Sequence, residues 1–465
     1  MRKRMTYPVA GAAALTASAL LLVSAGAGLS APSSVFHRLA TLNAGSTPQF
    51  ALARTANGKL HMVWQTGPPT GEPTGIASIS ISAAGKIGPQ VQALSDWDPG
   101  IPGLIAQPNG SLEALFGAIS PSPDNVSAVW GITSDDGGAT WSAPANVKGG
   151  GPNESLAYGS DVTAVLAGTT PILTLPQAGN LVVQRGLGAG SPSSQINDSD
   201  HGAVGGVSTA VDGATGEAVA SWSSLNANAD VIQGVAPSVG SPQIVPGPLK
   251  NSVVLAGRDT GAGVFAAYST DYKHVRLLRY GGGSVAVGSR AGLTTKVLGV
   301  ATGIAGRIWV MWGDDSGGGI AVTRSNKAVT RFEAIQHFNP DSSTLWRLAG
   351  DGRLGPLDLI VHQTPNSKAS PLRAEAQYAR ILPLLTATFA KTPIKNKKGK
   401  TIAWKLVVQV TDAGDPVPNA TVKLGKTKKS TNTAGKATFT VQGGGKVSVT
   451  ITAPTYHVLT TSLHL

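Results

Sequence analysis

Apolar and polar positions alternate with a period of two along most of this chain, in runs of five to eight residues broken by Gly, Pro, Asn and Ser. That is the signature of half-buried strands joined by tight turns. From about Ser34 to Lys391 the pattern repeats. A glycine followed by a strand-like run recurs as Gly58–Trp64, Gly110–Phe116, Gly179–Arg185, Gly216–Trp222, Gly263–Ser269, Gly306–Trp312 and Gly355–Val361. The spacing between these glycines ranges from 37 to 69 residues and averages roughly 50, the length of a propeller blade. Four of the seven copies place Trp or Phe at the seventh position, where an inner strand would bury it. Each unit then offers further strands. After Trp64 come 76–82, a turn at 83–86, and 90–94; after Trp222 come 229–235 and 242–246; after Trp312 come 319–324 and 331–338. The segment 35–42 is expected to close the ring by joining the last blade, which would remove an exposed sheet edge.

Composition agrees with short strands and turns. The 465 residues include 59 Gly and 30 Pro, with only 13% charged residues. No cysteine is present, which excludes disulfides, thiolate catalysis and Cys-ligated zinc. Residues 1–31 read as a secretory signal peptide, with Arg2, Lys3 and Arg4 before an Ala/Leu-rich run and cleavage near Ala31. Ala25-Gly26-Ala27 is a competing site, and a single-span anchor is the rival reading of the run. An extracellular or cell-surface location follows, with no transmembrane anchor in the mature chain.

The formal net charge of +12 is unevenly placed. From residue 391 onward there are twelve Lys, no Arg, and only Asp412 and Asp415 as acids. The stretch 391–401 is read as a basic, extended linker and 402–465 as a second β domain. Lys395, Lys397, Lys398 and Lys400 cluster in the linker, and Lys423, Lys426, Lys428 and Lys429 on a hairpin of that domain. Few aromatics interleave with them, so nucleic acid is not the expected partner.

Within the second unit, Ser134-x-Asp136-x-Gly138-x-Thr140-Trp141 follows a strand-like run, 125–130. The motif resembles the Asp box, or bacterial neuraminidase repeat, of sialidase-like β-propellers, in which Ser and Asp accept backbone N–H bonds and Trp plugs the blade. The resemblance implies an all-β fold: a six- or seven-bladed β-propeller over residues 34–390, with seven favoured by the repeat count. The last segment carries Pro416-Val417, Ala420, Val422 and the run Thr431–Val441, and resembles bacterial Ig-like and carboxypeptidase-regulatory-like β-sandwich modules.

Sialidases use three arginines, a Tyr nucleophile with a Glu, and an Asp acid/base. Their Phe/Tyr-Arg-Ile-Pro motif is not matched by the strings at 36–39 or 50–54. Tyr158, Tyr268, Tyr272, Tyr280 and Tyr378 are candidate nucleophiles, with Glu113, Glu154, Glu217, Glu333 and Glu375 as partners. Arg258, Arg276, Arg279, Arg307 and Arg347 are candidate carboxylate forks. Asp96/Asp98, Asp198/Asp200 and Asp314/Asp315 could act as paired acids, though Asp before a turn more often caps it. The segment 197–201 lacks the spacing of a calcium loop, and no His pair suggests zinc, so neither metal nor cofactor is expected. The sequence therefore predicts a monomeric, secreted protein that binds glycans or anionic cell-wall polymers, non-catalytic rather than enzymatic. A sialidase-like exo-glycoside hydrolase is the alternative.

Overall fold

The computed structural model describes residues 20–24, 30–31, 36–43, 50–67, 74–121, 123–148, 162–177, 179–188, 190–196, 204–224, 229–247, 253–289, 294–316, 318–340, 342–365 and 373–465. Strand follows strand throughout, and the sheets form in sequence order. The first sheet shows the plan, running from inner to outer strand as Phe50–Arg54, Leu60–Thr66, Gly75–Ile81 and Ile87–Ser95. The inner strands of the next six are Gly103–Ala106, Thr163–Ala167, Val204–Val211, Leu255–Gly257, Val297–Thr302 and Ser342–Asp351. Each inner strand touches the next, and the last returns to the first, giving an all-β, propeller-like ring of antiparallel sheets.

The outer strand of the seventh sheet is His37–Asn43, paired antiparallel with Arg373–Ile381. The ring is thus fastened by the strand that precedes it, as the pattern at 35–42 predicts.

The repeated glycine has a conformational cause. Gly58, Gly110, Gly216, Gly263, Gly306 and Gly355 all have φ between +72° and +128°, each in the turn from inner to second strand. Only a residue without Cβ adopts these angles readily. The third unit departs from the expected alignment. Gly179–Arg185 supplies the third strand of its sheet, and Gly168 (φ +64°) occupies the equivalent turn before Thr170–Gln177. That misalignment accounts for the long and short intervals on either side. In the sixth sheet the fourth strand is confined to Gln336–Phe338, shorter than 331–338, and Ser30–Ala31 pairs in parallel beyond it. The aromatics at the seventh repeat position, Trp64, Phe116, Trp222 and Trp312, are fully buried between sheets.

Beyond Pro383 two further sheets share one core. Thr386–Lys395, Thr401–Asp412 and Lys436–Gln442 form one; Thr427–Ser430, Thr421–Leu424, Lys446–Thr452 and Leu459–His464 form the other. Leu20–Ser24 adds a strand to the free edge of Thr386–Lys395. The expected linker at 391–401 is corrected here. Residues 391–395 continue the strand begun at Thr386, 396–400 turn, and Thr401 starts its partner. Leu385, Ala387 and Phe389 already belong to the second core, so the boundary lies near Pro383 and not at 402. The physical reason is the turn: Asn396 Oδ1 accepts N–H bonds from Lys398 and Lys400, while Gly399 takes φ +76°. Lysine-rich composition makes that hairpin polar without making it unstructured.

Candidate functional site

The inner strands surround an axis with a cavity at each end. Where they finish, a cavity of about 520 Å³ is lined by Arg54, Asp212, Arg258, Asp259 and Arg353 among others. Its charges are engaged in holding the ring together. Arg54 donates from Nε to Asp351 Oδ1 and from an Nη to Asp358 Oδ2, both at 2.6 Å, joining first sheet to seventh. Asp212 Oδ2 accepts the Gly263 N–H at 2.6 Å, and Asp259 Oδ1 accepts that of Gly306 at 2.5 Å, each reaching into the next sheet. Arg258 donates to the carbonyls of Gly306, Ala262 and Lys327. Burial opposes the charge on Asp351, but Arg353 and Arg54 outweigh it and hold the carboxyl below its ordinary range.

Where the inner strands begin, a cavity of about 190 Å³ is lined by Phe50, Val162, Thr163, Val207, Ser208, Thr209 and Arg347, with small and aliphatic residues between them. Arg347 is the one charged residue in that lining among the described residues. Its guanidinium carbon lies 5.6 Å from the centre of the Phe50 ring, a cation–π contact that fixes its direction. Thr163, Thr174 and Thr209 share a hydroxyl triangle with edges of 2.5–2.7 Å in the adjoining wall.

Among the described residues the sequence candidates do not converge on one site, and where two of them meet they pair within a single sheet. Tyr268 accepts from Arg276 Nε at 3.1 Å within the fifth sheet, and Tyr280 donates to the Ser241 carbonyl. Tyr378 donates to Asp358 at 2.8 Å, and burial with that neighbouring charge pushes its hydroxyl well above the ordinary phenol range. Tyr272 sits on a turn with φ +57°. Of the glutamates, Glu113 is pushed upward by burial, Glu375 pairs with Arg38 at 3.1 Å, and Glu217 lies in a turn. Arg279 is exposed and Arg307 faces Asp412 and Asp415. Asp315 holds Lys296 at 2.9 Å, and Asp314 caps its own turn through the Ser316 N–H. Asp96 takes φ +62°, and Asp98 is in a short strand. Tyr158, Glu154, Asp198 and Asp200 lie outside the described residues. Among the described residues no group of three or more His, Asp or Glu could hold a metal ion.

The turn at 134–141 is closed by side chains. Asp136 Oδ1 accepts the N–H groups of Ala139 and Thr140 and the Ser134 hydroxyl, all at 2.9 Å; Oδ2 accepts the Thr140 hydroxyl at 2.7 Å. Ser134 Oγ accepts the Gly138 N–H at 2.8 Å. The Thr140 bonds first, then Ser134 and Ala139, bring the Asp136 carboxyl down to about 2. Trp141 Nε1 donates to Ser78 Oγ at 3.2 Å, tying second sheet to first.

Sequence reasoning missed a second convergence, at the junction of ring and C-terminal sheets. Asp412 Oδ2 accepts from an Arg324 Nη at 2.6 Å and the Tyr456 hydroxyl at 2.9 Å, with an Arg307 Nη at 3.3 Å. Asp415 pairs with Arg307 at 2.8 Å and accepts the Lys327 N–H at 2.8 Å. Buried Glu333 accepts the Leu384 N–H at 2.9 Å. The pairs lie 44 to 108 residues apart in sequence, and no local pattern marks them.

No family model matches this chain, and no curated protein matches it. Solved structures do. The Dos1 propeller aligns at 10% identity over 75% of this chain and 95% of its own, with a TM-score of 0.42. The NanB sialidase of Streptococcus pneumoniae aligns at 9% identity over 74% and 70%, with a TM-score of 0.43. An α-L-arabinanase of Penicillium chrysogenum aligns at 12% identity over 78% and 99%, with a TM-score of 0.40. These likenesses extend to a propeller-like architecture, which the sheet order already carries. The sequence-based expectation is of a non-catalytic protein, whereas the similar structures include glycoside-cleaving enzymes. No helix among the described residues is long and apolar enough to cross a membrane.

Proposed function

We propose that this chain is an exported, glycan-acting protein: a seven-bladed sialidase-like propeller joined to an Ig-like sandwich, working as an exo-glycoside hydrolase on extracellular glycans or wall polymers. The bonded turn at Ser134, Asp136, Gly138, Thr140 and Trp141 supports the Asp-box reading of its second blade. The basic start and apolar run within residues 1–31 support export, the pairing of Leu20–Ser24 with Thr386–Lys395 belonging to the chain before cleavage.

The observation that carries the proposal is the axial cavity where the inner strands begin, with Arg347 as the one charged residue in its lining among the described residues. The apolar and hydroxyl-bearing wall suits one sugar ring. The Arg347 guanidinium, held against Phe50 and already engaged within the fold, places a positive charge where a carboxylate on that sugar would lie. The substrate class is therefore a terminal acidic sugar. Arg347 binds and orients it.

The test is release of terminal acidic sugars from a glycan array by the purified chain, with Arg347→Lys as the diagnostic variant. Lysine keeps the charge and loses the fork, so kcat/KM should fall roughly 10- to 100-fold with thermal stability retained. Absence of release from every acidic-sugar glycan, or equal release by the variant, overturns the proposal.

A further inference from the structure

The C-terminal sheets carry twelve lysines and two acidic side chains, and the two acids are both consumed at the junction. Asp412 is fully buried against Arg324, and Asp415 is bridged by Arg307. Eleven of the lysines are exposed; Lys391 is half-buried, donating to the His464 carbonyl. A protein surface ordinarily intersperses both signs. Here the cations have no acidic side chain of their own domain to answer them.

Their placement adds a second observation. Lys423 and Lys428 stand directly opposite one another on neighbouring antiparallel strands, both exposed. Such a like-charge cross-strand pair is destabilising, and nothing acidic on those strands relieves it. Lys397, Lys398 and Lys400 occupy the hairpin at the far end of the strand that starts beside the junction, roughly 30 Å away at 3.3 Å per residue. Lys405 and Lys436 lie on one sheet, Lys423, Lys428 and Lys446 on the other.

We infer that the lysine-bearing sandwich is a docking surface for a linear phosphate polymer of the extracellular space. Lysines on both sheets and on the tip are not confined to one plane, so they fit a flexible chain that wraps and not a flat bilayer. The set contains no arginine, so it offers point charges without a planar fork, and it reads the charge density of a polymer, highest on a phosphate chain, and not the shape of each group. Exposed aromatics to stack nucleobases are missing from it. The junction lies against Arg307, Lys327 and Gly355, in turns at the end where inner strands finish. The sandwich is therefore attached at the end of the ring opposite the Arg347 cavity, and a polymer held on it leaves that cavity open.

The test uses the full chain and long-chain inorganic polyphosphate, with affinity measured between about 50 and 200 mM salt. Release of counterions from about six phosphates should cost about 10³-fold across that range. Lys428→Glu should lower affinity about tenfold while raising the sandwich melting temperature, because it turns the Lys423 repulsion into an attraction. Lys397→Gln/Lys398→Gln/Lys400→Gln should lower affinity without moving that temperature. Wild-type affinity in both variants overturns the inference, as does salt-independent binding. Tighter binding to single-stranded DNA, or to vesicles of equal parts phosphatidylglycerol and phosphatidylcholine, would overturn it in favour of those partners.

Discussion

Replacing Asp412 by Asn removes one negative charge and leaves three donors, on Arg324, Arg307 and Tyr456, converging on a neutral amide. Arg307 keeps Asp415, which is partly exposed. Arg324 keeps only the Gly355 carbonyl and the faces of Trp309 and Tyr456, 5.2 and 5.4 Å from its guanidinium carbon, with 1% of its side chain exposed. Breaking a buried pair by neutralising one member costs about 3–5 kcal/mol, because the other charge remains away from water. If the sandwich, roughly 80 residues, melts as its own unit, 4–8 °C per kcal/mol puts the loss above about 12 °C in that transition. Tyr456→Phe removes a single hydrogen bond and should cost about 1 kcal/mol. Arg324→Met combined with Asp412→Leu should recover much of the loss, since a packed apolar pair can replace a buried ionic one. Calorimetry resolves the transitions, and trypsin sensitivity near Pro383 reports loosening of the junction. A shift below ~3 °C for Asp412→Asn would refute the reasoning, since it would mean that water reaches Arg324.

Burial pushes the Glu333 carboxyl up to about 8, against 4.5 ordinarily, so it is protonated at neutral pH. The stability held by its neutral form is complete below about 4.5 and is lost as pH rises through 8; Glu333→Gln should flatten the fall in melting temperature between about pH 4.5 and 8. His61 has the opposite sign. Burial first, then Lys59 and Arg54, brings it down to about 4, so its contribution is full above 6.5 and is lost as pH falls through 4. His61→Gln should flatten the acid side, read by melting temperature from about pH 3 to 7. Gly110→Ala meets no neighbour within 4 Å and should cost about 1–2 kcal/mol for its φ alone. Gly306→Ala should cost more, because its Cβ would stand 2.3 Å from the Thr260 carbonyl oxygen; equal losses in chemical denaturation would contradict this.

Much of the ring is legible in sequence because its signals are local. A positive-φ glycine, a strand and a buried aromatic recur within a few residues of one another, and the hydrophobic alternation at 35–42 marks a strand with no neighbour nearby in the chain. The third unit misleads for the same reason: Gly179 also turns the chain at positive φ, one strand later, and short-range pattern cannot tell the two turns apart. The hairpin at 396–400 did carry a signal. Asn396-Lys-Lys-Gly-Lys400 matches Asn432-Thr-Ala-Gly-Lys436, and both asparagines accept the same pair of N–H bonds around a left-handed glycine. Lysine content obscured it. The Arg347–Phe50 contact and the Arg324–Asp412 pair join residues about 300 and 88 apart, and only folding brings them together.

The strand that completes the seventh sheet is made first and used last. His37–Asn43 cannot pair until 373–381 has been synthesised, some 330 residues later. At 5–20 residues per second that delay is roughly 20 s to a minute. Throughout it the growing chain holds an unmatched strand at its start, and the ring cannot complete its cooperative assembly. A polypeptide kept from its native state for so long is well suited to being threaded across a membrane before it folds. The same delay exposes its strand edges to other nascent copies, so escort during synthesis should govern yield more than the stability of the finished molecule does.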